Sequence, residues 1–540
     1  MDSVFTLKDL VGDVLERRWT GSISTDADAD VSLHDELQLA TDHYGSIRYK
    51  DKVVVYVSNT IETVAALLNV WSRGAVVVPV KSEIPDSARR DIIEDCGANY
   101  VLDPATRSLS PGHPGTGRSI AASPFRYLTE PKLTGVDLAL IIYTSGSTGK
   151  PKGIMLTHAN VISALRSILC YLEIRQSDTI ALISPLSFDY GLYQLFFCLA
   201  THCRLVMCQK GTNPIRLANL IQARKITVLP LIPAMASGLH KYLETFRKQV
   251  HGVRLITSTG GILPAHTALG LKQVFVGADV VKMYGLTESK RATYLPCQDL
   301  ERVSDSVGIP MPGLEAKVFE EVVGEDGTVI LQELLRGEIG QLFVRGTSVF
   351  QRYFNPEHSG GAKIFPGAYR DDNWLATGDL FRQDANGFLY FMGRAKDLIK
   401  QRGFCIYPRD LESIVYRNPN VEICVVAGAT DRNGNEIAKL FVTLVEQGKF
   451  AQDQFKAWLS QEIDPDYMFD ELEFIDNMPL SINGKVDVSR LVNGDPGCNP
   501  TATSVPRDNC HSRSSGQFDI NAALVGGEPG GAAGAVRSQP

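Results

Sequence analysis

The 540-residue sequence predicts an α/β protein, with a large N-terminal domain built on parallel sheets plus a β-rich part, followed by a small α+β domain. Three observations predict it. From Lys52 short apolar runs alternate with helix-length segments, the rhythm of βαβ units whose crossovers leave the sheet parallel. Between Val307 and Phe391 that rhythm gives way to short strands and turns. After Arg394 a shorter mixture of strands and helices begins, and it ends near Leu491. A chain this long exceeds one core. The expected division is a large domain over 1–394, a small domain over 395–494 and a disordered tail over 495–540.

In order, Val53 to Val57 reads as a strand, Ile61 to Trp71 as a helix, Ala75 to Val80 as a strand, Ala88 to Cys96 as a helix and Tyr100 to Leu102 as a strand. Beyond a glycine-rich loop the alternation resumes. Strands are expected at Thr179 to Ile183, Arg204 to Met207, Thr227 to Ile232 and Val253 to Thr257, with a buried helix at Leu192 to Ala200. Short strands follow at Ala316 to Phe319, Gln341 to Val344 and Phe388 to Met392. The small domain reads as a helix near Pro408 to Val415, strands near Val421 to Ala427 and Ala438 to Leu444, and a helix near Ala451 to Gln461. The tail is rich in Gly, Pro, Ser and Ala, holds one aromatic, Phe518, and shows no sustained period, so it is expected to be disordered.

The glycine-rich loop is Tyr143-Thr-Ser-Gly-Ser-Thr-Gly-Lys-Pro-Lys-Gly153, entered from the apolar run Leu138 to Ile142. Glycines let main-chain N–H groups converge, hydroxyls add donors and lysines add positive charge, which together suit a polyphosphate. A flexible linker would explain the Gly and Ser content. It would not explain the strand running in, the two lysines or the stiff exit at Pro151. Nor is the loop a P-loop: two residues rather than four separate Gly146 from Gly149, and Pro follows Lys150 where Ser or Thr would hold Mg²⁺.

This string resembles the signature of the adenylate-forming superfamily, which includes acyl-CoA synthetases, nonribosomal peptide synthetase adenylation domains and firefly-type luciferases. Further blocks follow in that family's order and spacing: Met283-Tyr-Gly-Leu-Thr-Glu288, Ser306 to Gly313, Arg336 to Gly340 with Val344 to Gly346, Trp374 to Asp379, Gly393 to Gly403 and Pro479 to Lys485. The resemblance covers about Asp51 to Leu491. It implies ATP and Mg²⁺ as cofactors and assigns roles to matching positions. Thr144, Ser145, Gly146, Ser147, Thr148, Gly149 and Lys152 would hold the β- and γ-phosphates. Thr287 would contact the α-phosphate and Glu288 would ligate Mg²⁺. Asp379 would accept from both ribose hydroxyls, Arg394 would reach the ribose or phosphates, and Tyr284 would stack on adenine. Lys485, by base rate a solvated surface charge, would bridge the substrate carboxylate and the α-phosphate as the catalytic lysine. Lys396 would be the hinge about which a mobile small domain turns between two half-reactions.

By the same correspondence the acid pocket would be lined by Asp189, Tyr190, Tyr193, Ala234, Thr257, Thr259, Met283, Arg291 and Ala292. Asp189 stands where amino-acid-activating members pair an aspartate with the substrate ammonium, and an alternative is that it caps a helix beginning at Gly191. Arg291 could meet a second carboxylate on the substrate or pair with an acidic neighbour. Two tyrosines would narrow the pocket, so a small polar acid is expected rather than a fatty acid.

Composition bounds the rest. A formal net charge of −7 argues against a nucleic-acid partner and gives no reason to expect a membrane one. The N-terminus shows no signal-peptide pattern, and the most apolar window, Leu192 to Cys208, is broken by Gln194, His202 and Arg204. The ten cysteines form no C-x-x-C pair and suit free thiols in a reducing cytoplasm. The expected function is an AMP-forming ligase that activates a small carboxylic acid, an amino acid being favoured, and transfers it to CoA or to a carrier protein's phosphopantetheine on a separate chain. An acyl- or aryl-CoA ligase and a non-catalytic binding protein of the same fold are the alternatives.

Overall fold

The computed structural model describes residues 3–26, 33–112, 132–145, 151–209, 211–324, 326, 328–355, 364–366, 372–401, 404–430, 436–445, 448–463, 469–479, 486–493 and 501–504. Within them the α/β expectation holds: two large, mainly parallel sheets and an antiparallel sheet make up the N-terminal part, and a smaller unit follows.

The valines of Lys52–Val57 and Val76–Lys81 lie buried in the centre of one seven-stranded sheet, pairing in parallel. Apolar side chains on both faces of these strands require cover on both sides. One cover is the helix Ile61–Ser72, capped by the Thr60 hydroxyl, which accepts from the Thr63 N–H. Val76–Lys81 also pairs with Leu138–Ser145, and that strand pairs antiparallel with Pro151–Thr157. The glycine-rich segment therefore links two strands that pair with each other. Its residues 146–150 lie outside the described residues, as do the tail beyond 504 and Lys485.

The eight-stranded sheet runs Ser22–Thr25, Arg204–Met207, Thr179–Leu182, Val228–Leu231, Leu255–Ser258, Asp279–Tyr284, Thr293–Tyr294, Ile309–Pro310. Its first strand, with the helices Leu7–Leu15 and Leu33–His43, was not legible in the sequence. The helix Leu7–Leu15 is tied down over a long separation: the Leu7 N–H donates to Nδ1 of His158, a fully buried imidazole. Burial pushes the His158 pKa down to about 4, against smaller upward pulls from Asp137 and Asp9. Because the folded value lies below the unfolded one, the stability this group contributes is present above about pH 6.5 and lost as pH falls toward 4, up to about 3 kcal/mol. The wild-type protein is expected to lose melting temperature between pH 6.5 and 4.5 more steeply than His158→Asn. Parallel curves would refute the assignment.

The antiparallel sheet comprises Val329–Glu333, Leu314–Val323, Ile339–Gly346, Asn373–Gln383 and Ile364–Pro366, with Leu389–Arg394 beside Asn373–Gln383. In the small unit the helices Pro408–Val415 and Lys449–Glu462 bury Leu411, Val415, Phe455 and Leu459 against the strands Val421–Thr430 and Glu436–Leu444. Inside the stretch expected to be disordered, Thr501–Ser504 instead adds an antiparallel strand beside Glu471–Phe474, which presents an open edge to it. The two units touch through Lys241 and Glu422 at 2.6 Å and through the rings of His266 and Tyr416.

Candidate active site

Ligands of parallel α/β sheets gather at the carboxyl ends of the strands, and among the predicted residues Thr144, Thr257 and Tyr284 lie at or near such ends. The strand Asp279–Tyr284 ends at Tyr284, and the chain turns back so that the Ala292 N–H donates to the Tyr284 carbonyl at 2.8 Å. That return is tight. A Cβ on Gly285 would stand 2.3 Å from the Lys290 carbonyl oxygen, so the turn requires glycine. The turn carries Thr287, Glu288, Lys290 and Arg291.

On the nucleotide side, the Tyr284 hydroxyl donates to Asp379 Oδ2 at 2.6 Å, and Arg394 Nε lies 3.5 Å from Asp379 Oδ1. The Tyr284 ring packs against Phe381 at 4.9 Å. Burial, reinforced by the Asp379 charge, holds its phenol protonated far above the usual range. Asp379 and Arg394 face each other as register partners on adjacent strands, which explains how residues fifteen positions apart meet.

The phosphate side converges from three segments. Thr144 and Lys152 are register partners on the two strands joined by the glycine-rich segment, next to Ser145 and Pro151. Glu288 Oε1 accepts from the Tyr353 hydroxyl at 2.8 Å, and Lys152 Nζ lies 5.9 Å from the centre of the Tyr353 ring. Burial lowers the Lys152 pKa, Glu288 opposes that, and Lys396 and Arg394 act in the same direction as burial. Three cations and one carboxylate therefore share a neighbourhood. Lys396 lies in the single turn Ala395–Asp397, between the last strand of the antiparallel sheet and the small unit. Glu288 keeps lone pairs free beyond its bond to Tyr353, which suits a hard cation held partly by phosphate oxygens. Among the described residues no cluster of three or more His, Cys, Asp or Glu could hold a metal without such help.

The acid side is built on the helix Asp189–Thr201. A Cβ on Gly191 would stand 2.2 Å from the Pro185 carbonyl oxygen, so glycine lets the first turn press against the incoming chain. The helix begins at Asp189 with Phe188 as its N-cap and no side-chain capping bond. Asp189 therefore caps nothing, contrary to the helix-capping alternative. It lies instead 3.7 Å from Arg291, whose guanidinium stacks over the Tyr190 ring at 4.9 Å and donates to the Lys290 carbonyl at 2.7 Å. The Tyr190 hydroxyl meets Thr257 Oγ1 at 2.9 Å, and burial raises its pKa to about 12.

Other expected lining residues divide. Met283, Ala292, Thr257 and Thr259 are buried nearby in sequence and strand order. Tyr193 is buried too, its hydroxyl donating to the Val161 carbonyl and its ring packing on Phe196 and Phe197, while Ala234 is exposed in the first turn of Pro233–Thr245. Sequence reasoning missed Tyr353, Lys290 and the stacked pair Tyr171 and Tyr294, whose rings are 4.0 Å apart and whose Tyr171 hydroxyl donates to the Met283 sulfur. Lys290 is 1% exposed, its ammonium donates to the Thr287 carbonyl, and burial lowers its pKa to about 8. A lysine two residues after the motif glutamate Glu288 was the available signal. The aromatic pair left none, since its members sit on elements far apart in sequence.

Residues 45–354 match the AMP-binding enzyme family and residues 410–485 the AMP-binding enzyme C-terminal domain. The chain is 28% identical over 369 residues to a long-chain-fatty-acid–CoA ligase of Bacillus subtilis (strain 168), covering 68% of this chain and 63% of that protein. It is 26% identical over 452 residues to bacitracin synthase 2 of Bacillus licheniformis, covering 81% of this chain and 16% of that protein. The chain thus spans less than two thirds of the length of these curated relatives. Among solved structures it resembles the ATP-bound RpMatB-BxBclM chimera B3, with 25% identity and a TM-score of 0.73 over 90% of this chain and 98% of that one.

Proposed function

The chain belongs to the AMP-binding enzyme family, and from that premise we propose that it is an AMP-forming ligase that activates a small carboxylic acid with ATP and passes the acyl group to a thiol. The observation that carries this reading is the convergence of Lys152, Glu288, Arg394 and Lys396 beside the linked pair Tyr284 and Asp379. A carboxylate attacking a polyphosphate brings two anions together, and clustered cations lower that barrier by electrostatic stabilisation and positioning.

In the first half-reaction a carboxylate oxygen bonds to the α-phosphorus of ATP and the bond to pyrophosphate breaks. Lys152 and the strand carrying Thr144 would bind the departing phosphates, and Asp379 would hold the ribose. Mg²⁺, with Glu288 as its protein ligand, would supply further positive charge to the phosphates. In the second half-reaction a thiol sulfur bonds to the acyl carbon, AMP leaves and the thiol proton is released. The acceptor would be CoA or a phosphopantetheine arm. A turn of the small unit about Lys396 would let one site serve both steps.

Activation of an amino acid would require Asp189 to exchange Arg291 for a substrate ammonium. The Asp189–Arg291 pair therefore supports an acid without an α-amino group, and the CoA-ligase relatives are in line with that choice. Among the described residues no helix is long and apolar enough to cross a membrane. The test is ATP–pyrophosphate exchange across a panel of small acids, followed by AMP release on addition of CoA. Acid-dependent exchange and CoA-dependent AMP release are expected. Neither with any acid would favour a non-catalytic binding protein.

A further inference from the structure

Resting on the ligase reading above, we propose that the acid activated here carries a second anionic group, as a short dicarboxylic acid does, and that Arg291 is the residue that binds it. Arg291 is 3% exposed. Among the described residues its guanidinium makes one hydrogen bond, to the Lys290 carbonyl. Its nearest carboxylate oxygen, on Asp189, is 3.7 Å away, beyond hydrogen-bonding distance. A guanidinium has five N–H donors in a planar fork, and burying it with so few acceptors is costly. A carboxylate with two oxygens matches that fork.

Position favours the same ligand. Arg291 leaves the turn that carries Thr287 and Glu288, and the four residues of chain from Thr287 reach at most about 14 Å. A group bound at Arg291 is therefore within one small molecule of the site where the reacting carboxylate meets the α-phosphate. The Tyr190 ring beneath the guanidinium and the Tyr190 hydroxyl bonded to Thr257 hold that side of the pocket rigid. Charge favours it as well. Asp189 is opposed by Arg291, and Lys290 adds a second buried basic side chain nearby, so an ammonium would meet, in Asp189, a carboxylate already faced by a cation. In this arrangement Asp189 is a positioning residue for Arg291, not a substrate ligand.

The experiment compares ATP–pyrophosphate exchange for chain-length-matched monocarboxylates, α,ω-dicarboxylates, ω-amino acids and α-amino acids, using the full chain and the variants Arg291→Met and Arg291→Lys. In the wild type a dicarboxylate is expected to exceed its matched monocarboxylate by about 10²-fold or more in kcat/KM, because a site built for a polar group rejects the analogue lacking it. Arg291→Met should raise KM for the dicarboxylate and erase its advantage over the matched monocarboxylate. Arg291→Lys should restore part of the preference. A wild-type preference for an amino acid or a monocarboxylate overturns the inference and leaves the ligase reading standing. So does a dicarboxylate preference of unchanged size in Arg291→Met. Exchange with no acid of any class removes the ligase reading and this inference together. Should Arg291→Met fail to fold, the wild-type ratio and Arg291→Lys decide.

Discussion

Lys485→Ala is expected to slow adenylate formation by about 10²–10³-fold while ATP still binds, the usual cost of removing one electrostatic stabiliser of a transition state. The reason lies in when the charge is needed. A lysine that bridges the carboxylate and the α-phosphate would contribute most as both crowd the phosphorus, and less in the ground state, where by the family correspondence the residues around the glycine-rich segment and Asp379 would hold the nucleotide. Lys485 ends the Pro479 to Lys485 block and lies outside the described residues, so its role rests on the family correspondence. Single-turnover formation of the acyl-adenylate, with ATP affinity measured separately, checks it. Near wild-type adenylate formation in the mutant would remove the assignment, and equal losses in binding and rate would recast Lys485 as a binding residue.

Glu288→Gln should cost a similar factor, about 10²–10³-fold in exchange at low Mg²⁺, with a part of the loss recovered as Mg²⁺ is raised. The substitution is chosen for its geometry. The Glu288 carboxylate accepts from the Tyr353 hydroxyl at 2.8 Å, and a glutamine oxygen can keep that bond, so the change removes charge without emptying the site. The backbone of Glu288 is also anchored, its carbonyl accepting from the Phe350 N–H at 2.7 Å. The measurement is the exchange rate against Mg²⁺ concentration. A midpoint that moves upward supports a metal ligand. A lower rate with an unmoved midpoint would mean that Glu288 acts through Lys152, whose pKa it helps to keep up.

The two predictions differ in what made them possible. The block containing Glu288, like the glycine-rich segment and the Trp374 to Asp379 segment, is a local string of residues whose types and spacing can be read directly. The same holds for the alternation of apolar strands and helices from Val53 to Ser258, because a buried parallel sheet imposes its period on the residues themselves. The start of the helix at Asp189 was misplaced by a few residues, since Phe188 is an N-cap that leaves no side-chain signature. The N-terminal helices were missed because their positions depend on partners far along the chain: the Leu7 amide finds His158 across 151 residues.

What the sequence determined by itself was the family, the succession of a large α/β part, a β-rich part and a small α+β part, and the chemical types assigned to the candidate site, because these follow from short-range patterns of glycine, lysine, carboxylate and valine. Tertiary structure alone decided which of those groups face one another. Tyr353 reaches Glu288 from 65 positions away, the Tyr193 hydroxyl donates to the Val161 carbonyl, and Asp189 meets Arg291 rather than a helix amide. Each of these pairings is set by how separate helices and strands pack, and a buried charge or hydroxyl takes whichever partner that packing brings within reach.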